Sequence, residues 1–253
     1  MADSKTHQEH PLANILINVL IPVVALGALS KDPDAADSKL WHIGPVNAMI
    51  AALVPPLAYG AWHFIKTRKF NFFSGLGLFS VLLTGGLTIY LWNADGTVKE
   101  NAGLFFALKE ASIPFLLGLA VFLSRRTATP LVNVFLYNDS VFDVPRIERV
   151  VAEKNAEGEY RKLLDLANTL FASSFFLSTV LNIALVMAFF HGFDRTDPGA
   201  REEYNAIVGK ITGWGFVVIG VPLLVVLFFT LQKLIKGLRE VTGLTDEEIM
   251  VPR

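Results

Sequence analysis

Six apolar stretches, each long enough to cross a bilayer, fill most of this chain: 12–29, 45–65, 70–92, 102–124, 163–190 and 208–235. Their lengths of 18 to 28 residues compare with the roughly 20 that a helix needs to span hydrocarbon. In lipid, backbone polar groups must be satisfied within the segment, so such stretches fold as helices. The predicted fold class is all-α, a polytopic transmembrane bundle of six helices.

Orientation follows from the cations. The amino terminus, second loop, fourth loop and tail hold 15 of the 22 Lys and Arg residues, and the remaining loops hold seven. With an even number of spans, this bias places both termini in the cytoplasm. The chain then divides into a cytoplasmic leader (1–11), four helices (12–124), a cytoplasmic loop (125–162), two helices (163–236) and a cytoplasmic tail (237–253). With only Lys5 ahead of it as a cation, the first apolar run is expected to be a retained helix and not a cleaved signal.

Composition narrows the chemistry. A 53% hydrophobic content exceeds that of an ordinary soluble domain, and a net charge of −1 argues against a nucleic-acid partner. Cysteine is absent, which removes disulfides, thiol catalysis and Cys-ligated metal centres. The sequence holds no HExxH, GxSxG or GxxxxGK[S/T] pattern, and its histidines are scattered at helix ends and in the leader. No catalytic residue, metal or cofactor is therefore expected.

The 125–162 loop is the longest connection. Asp143 followed by Pro145 marks a helix start, and Ile147, Val150 and Val151 form an apolar face with Glu148, Arg149 and Glu153 outward. This amphipathic helix reads either as an interfacial helix leading into the fifth span or as a docking surface for a partner.

Two short rhymes raise an internal repeat. Ile21-Pro22 in the first span matches Ile113-Pro114 in the fourth, and Phe70-Asn71 before the third matches Tyr204-Asn205 before the sixth. A duplication of three helices would be a 3+3 inverted repeat, the plan of many transporters.

Polar residues at membrane depth are the candidate site. Asn14 and Asn18 share one face of the first helix, and Asn168 and Asn182, fourteen residues apart, share one face of the fifth. Both pairs are expected to point inward, as interhelical hydrogen bonds or the lining of a polar pathway. Lys109 and Glu110 stand out most. If the fourth helix begins near Ala102, they lie about 10 Å inside it, pointing about 100° apart, and at least one needs a partner on another helix or a hydrated cavity. Alternatively, Gly103 to Leu108 is interfacial, the helix starts at Lys109, and the lysine snorkels to the surface. Lys66, Arg68, Lys69, Arg125 and Arg126 are placed to meet lipid head groups.

Taken in order, Gly85-Gly86-Leu87-Thr88, Lys109, Gly118, Pro130-Leu131 after Arg125-Arg126, and the pair Asn168 and Asn182 resemble the intracellular septation protein A family of bacterial inner-membrane proteins. The likeness is to a six-helix branch of that family and covers about 170 residues, from Lys66 to Ile235. It implies a multi-pass protein of the bacterial inner membrane with a role in envelope integrity or septation, in company with envelope or division proteins. It implies no catalytic residue. The chain departs from smaller members in its longer loop from Asn138 to Tyr160. Two functions remain open: a non-enzymatic organiser in contact with membrane lipids and partner proteins, and a carrier or flippase for a lipid, lipid-linked precursor or small solute. Homo-oligomerisation is compatible with either.

Overall fold

The computed structural model describes residues 16–67, 72–127 and 130–251. Helices occupy all six apolar stretches: α1 (Ile21–Ala28), α2 (Gly44–Thr67), α3 (Phe72–Leu91), α4 (Ala102–Ser124), α7 (Glu157–Phe190), and the pair α8 (Ala200–Gly215) and α9 (Val221–Thr242). Three shorter helices, α5 (Leu131–Phe135), α6 (Val144–Glu153) and α10 (Asp246–Ile249), lie in the long loop and the tail. Among the described residues there is no β-strand, only isolated bridges between Trp92 and Val98 and between Phe142 and Met250.

Three helical runs, Ala102–Ser124, Glu157–Phe190 and Ala200–Thr242, are long and apolar enough to cross a membrane. Their surfaces agree. Leu116, Leu123, Val180, Leu224 and Phe229 are each at least 60% exposed, a density of bare aliphatic and aromatic side chains that water penalises and lipid does not. The chain has the build of a helical membrane protein.

Proline shapes two of the helices in the same way. A five-residue π-helical segment, Leu16–Leu20, leads into Ile21-Pro22 at the start of α1, and another, Phe216–Gly220, leads into Val221-Pro222 at the start of α9. Proline lacks an N–H and its ring collides with the carbonyl one turn earlier; widening that turn by one residue relieves the collision. Pro114, by contrast, sits inside α4 with no such segment, as Pro55 and Pro56 do in α2. In backbone form, Ile21-Pro22 therefore pairs with Val221-Pro222 and not with Ile113-Pro114.

The chain divides into two compact units. The first comprises, among the described residues, 16–67, 72–109 and 184–217. Here α8 packs against α1 and α2, and Gly209 allows a close approach: a Cβ there would lie 3.2 Å from Leu26 Cβ and 3.4 Å from the Val23 carbonyl oxygen. The loops are tightly turned. Asp95 Oδ1 accepts from Thr97 N and Oγ1 at 3.0 and 2.6 Å, and Asp194 Oδ1 accepts from Thr196 N and Oγ1 at 2.9 and 2.7 Å. These hydroxyl and amide donors hold both carboxyls below the ordinary aspartate value. The two loops meet where Val98 N donates to the Arg195 carbonyl at 3.0 Å.

The second unit, residues 110–183 and 218–251 among those described, contains a hydrophobic core that the sequence does not announce. Val132, Phe142, Ile147, Leu238 and Ile249 are all completely buried there, with Tyr137 and Val151 nearly so. The loop and the tail are thus one folded body. The helix start was legible: Asp143 caps α6 by accepting from Arg146 N at 3.2 Å, with Pro145 in the first turn. The expected use of its apolar face is corrected. Ile147 and Val151 are covered by this chain's own α9 and α10, so that face is offered neither to an interface nor to a partner.

The tail is held by several small devices. Gly243, with φ of +71°, ends α9 in the left-handed conformation that glycine adopts without penalty. Thr245 and Glu248 then form a capping box on α10. Arg146 pairs with Glu248 at 2.5 Å, and Asp143 N donates to the Ile249 carbonyl at 2.9 Å.

Glu248 carries a pH prediction. Donation from Thr245 N, then from its hydroxyl, and the charge of Arg146 hold the Glu248 carboxyl below its ordinary value of 4.5. A depressed carboxyl contributes stability above its unfolded value and loses it as pH falls through the folded one. Amide protection at Glu248 and Ile249 is therefore expected to hold at neutral pH and to drop below pH 4.5, with Glu248→Gln flattening the profile.

Candidate functional site

The densest polar cluster is built from the first turns of α8. Arg201, Tyr204 and Asn205 follow an i, i+3, i+4 spacing, which puts them on one face of the helix. Tyr204 and Asn205 are fully buried. The tyrosine ring is enclosed by aromatic edges, with centroids 5.7 Å from Phe190 and 6.2 Å from both Trp92 and Phe106. Its hydroxyl lies 3.4 Å from Thr88 Oγ1.

Asn205 works as a clasp. Its Nδ2 donates to the Pro45 carbonyl at 2.7 Å and to Ser30 Oγ at 3.1 Å, tying α8 to the start of α2 and to the residues just beyond α1. Arg201 repeats this at the next level: its guanidinium donates to the Asn93 carbonyl and lies 5.4 Å from the Trp92 ring. Three buried atoms, Trp92 Nε1, Arg201 Nε and Asn205 Oδ1, have no protein partner among the described residues. In chemical terms the cluster is rich in donors, and its bonds join separate helices and loops.

Lys109 is buried within the fold. Helix α4 begins at Ala102, so Gly103 to Leu108 are helical and the helix does not start at Lys109. The lysine is only 7% exposed, its ammonium 5.5 Å from the Phe106 ring centroid, and Glu110 beside it is half-buried. The alternative in which the helix starts at Lys109 and leaves the lysine exposed is corrected for that reason. Both charged groups have interactions within the fold. Entry to α4 is tight as well, since a Cβ on Gly103 would lie 2.9 Å from Phe190 Cβ.

The asparagine pairs separate. Asn168, 1% exposed, donates from Nδ2 to the Val121 carbonyl at 3.0 Å, an interhelical bond between α7 and α4. Asn182 instead donates to Ser178 of its own helix, to the carbonyl at 2.8 Å and to Oγ at 3.3 Å. The interhelical expectation thus holds for the first and is corrected for the second. Asn14 lies outside the described residues, as does the side chain of Asn18.

Among the basic residues expected at head groups, Arg125 folds over the Phe122 ring at 4.2 Å and Arg126 is exposed. Arg68, Lys69 and the Lys66 side chain lie outside the described residues. Among the described residues, His, Asp and Glu nowhere gather in threes as a metal site requires. Two of the three glycines quoted for the family likeness, Gly85 and Gly118, lie at close approaches, whereas a Cβ on Gly86 would meet nothing within 4 Å. A Cβ on Gly85 would meet Leu53 Cδ1 at 2.7 Å, and one on Gly118 would meet Phe175 and Phe176 at 3.1 Å.

Arg201 and Asn205 were visible in the sequence only as a loop cation and half of a weak repeat. The i, i+4 spacing of an arginine and an asparagine entering an apolar helix is the signal that points to them. No family model, curated protein or solved structure matches this chain.

Proposed function

We propose that this chain is a six-span protein of a bacterial inner membrane that organises the cell envelope or its septation machinery without catalysing a reaction. Both termini and the 125–162 loop face the cytoplasm in this reading. The observation that carries it is the joint folding of loop and tail. Phe142 and Ile147 from the loop share one core with Leu238 and Ile249 from the tail, which makes a preformed body of the kind that meets protein partners.

The same packing supports the span count. Loop and tail sit together in the second unit, as two crossings between them require. In the first unit, Val98 N on Arg195 O joins the connections after α3 and α7, and Asn205 on Ser30 Oγ and the Pro45 carbonyl joins the start of α8 to the connection after α1 and the start of α2, as alternating spans require. The 15-to-7 division of cations supplies the sidedness. Envelope and septation enter through the likeness to the septation protein A family. The buried amides of Asn205 and Asn168 are used to bind helices together, as an organiser needs.

A carrier of a lipid, lipid-linked precursor or small solute is the second reading, and buried Lys109 is what favours it. Native mass spectrometry of protein gently extracted from its own membranes separates the two. For an organiser, Lys109→Ala is expected to lose about 1–3 kcal/mol of stability, as when a buried polar network is broken, while bound partner proteins and lipids stay unchanged. A folded Lys109→Ala protein that has shed one defined ligand would establish the carrier instead.

A further inference from the structure

We propose that a groove between α1 and α8 of the first unit binds one anionic phospholipid, with an acyl chain in the groove and the phosphate at Lys210. This rests on the membrane reading above. The groove encloses about 450 Å³ and is lined by Val23, Gly27, Gly209, Gly213 and Val217, a volume within the range of roughly 300–1,000 Å³ that ligand sites take.

Its shape comes from the glycines. At Gly209 the helices touch, whereas a Cβ on Gly27 would meet nothing within 4 Å and a Cβ on Gly213 would make only ordinary contact with Val23 at 3.6 Å. The helices therefore pinch together at one level and leave a trough beside it. The surface around it is bare and apolar: Leu20, Val24, Phe216 and Val217 are each more than 50% exposed. Such a trough in hydrocarbon is filled by chains that can follow its contour.

Charge selects the head group. Lys210 lines the same groove and is exposed, with no ion pair among the described residues. It stands two residues inside the 208–235 stretch, at the depth where a lysine reaches the head-group layer. Trp214, one turn further along α8 and also lining the groove, is an amphipathic ring suited to that level. A single cation above an apolar trough matches a lipid with one net negative charge.

The test uses the full chain, delipidated in detergent and titrated with phosphatidylglycerol or phosphatidylcholine of identical chains, read by native mass spectrometry. One phosphatidylglycerol is expected to bind in preference. Lys210→Gln, a change at an exposed site, is expected to weaken it about fivefold, the effect of ~1 kcal/mol per basic residue at an anionic surface, and to leave phosphatidylcholine unaffected. Gly27→Leu, which fills the trough, is expected to weaken both lipids tenfold or more without altering the unfolding temperature. If that variant does not fold, Lys210→Gln alone decides. Equal binding of the two lipids, an unaltered affinity in Lys210→Gln, or a dimer that Gly27→Leu dissociates would each overturn the proposal. Vesicle flotation separates the levels: a chain that fails to partition into vesicles sinks the membrane reading and this one together, whereas partitioning without anionic selection sinks this one alone.

Discussion

Replacing Phe142 with alanine is expected to release the loop and the tail together. The ring is completely buried, lies 5.1 Å from that of Tyr137, and its residue bridges to Met250 in the tail. Truncating a buried aromatic costs about 3–5 kcal/mol through lost transfer energy and the cavity left behind. The core it serves is small, so a loss of that size is a large part of what holds α5, α6 and α10 in place. Tyr137 and Tyr160 cannot compensate. Their hydroxyls are already joined at 3.0 Å, and burial pushes the Tyr137 phenol well above its ordinary value, keeping it neutral. Limited proteolysis is the readout: Phe142→Ala should be cut within 131–153 and 244–251, with the apolar helices spared. Wild-type resistance in the variant would mean that something other than this core fixes the loop.

The second large effect is expected at Asn205. Asn205→Leu keeps the number and branching of the side-chain heavy atoms but removes two hydrogen bonds and strands the Pro45 carbonyl; Ser30 Oγ still donates to the Leu26 carbonyl at 2.8 Å. Interhelical bonds in membranes contribute about 0.6–1.7 kcal/mol each, and a stranded buried acceptor adds about 1 kcal/mol or more. A total of about 2–4 kcal/mol follows, seen as a lower unfolding temperature in detergent. Asn182→Leu is the internal comparison. Its bonds close on its own helix and it is half-buried, so its loss should stay below about 1 kcal/mol. Equal losses at the two positions would show that burial and interhelical bonding do not set the scale here.

The sequence revealed the helices because spanning segments write their length and apolarity locally. It also revealed the start of α6, since Asp143 and Pro145 act within one turn. The joint core was invisible for the opposite reason. Phe142 and Ile249 are more than a hundred residues apart, and the core residues that follow α9, Leu244 and Ile249, are too few to form a periodic pattern. The π-helical turns were hidden because they are set by Pro22 and Pro222 acting backwards on preceding apolar residues that look like any others. At the candidate site, Lys109 was conspicuous because a charge within an apolar stretch is expensive. Arg201 and Asn205 were not, since they precede the apolar run of the last span and read as loop residues until α8 extends back to Ala200.

The proposed topology makes the most direct test simple, because the chain contains no cysteine and every introduced thiol is unique. Single substitutions at exposed positions, Ala36→Cys, Ala94→Cys, Pro198→Cys, Ser140→Cys and Glu247→Cys, would be labelled with a membrane-impermeant maleimide in intact spheroplasts and again after permeabilisation. With this topology the first three label in intact spheroplasts, and Ser140→Cys and Glu247→Cys label only after permeabilisation. Labelling of Ser140→Cys from the same side as Pro198→Cys, or of Ser140→Cys and Glu247→Cys from opposite sides, would contradict it.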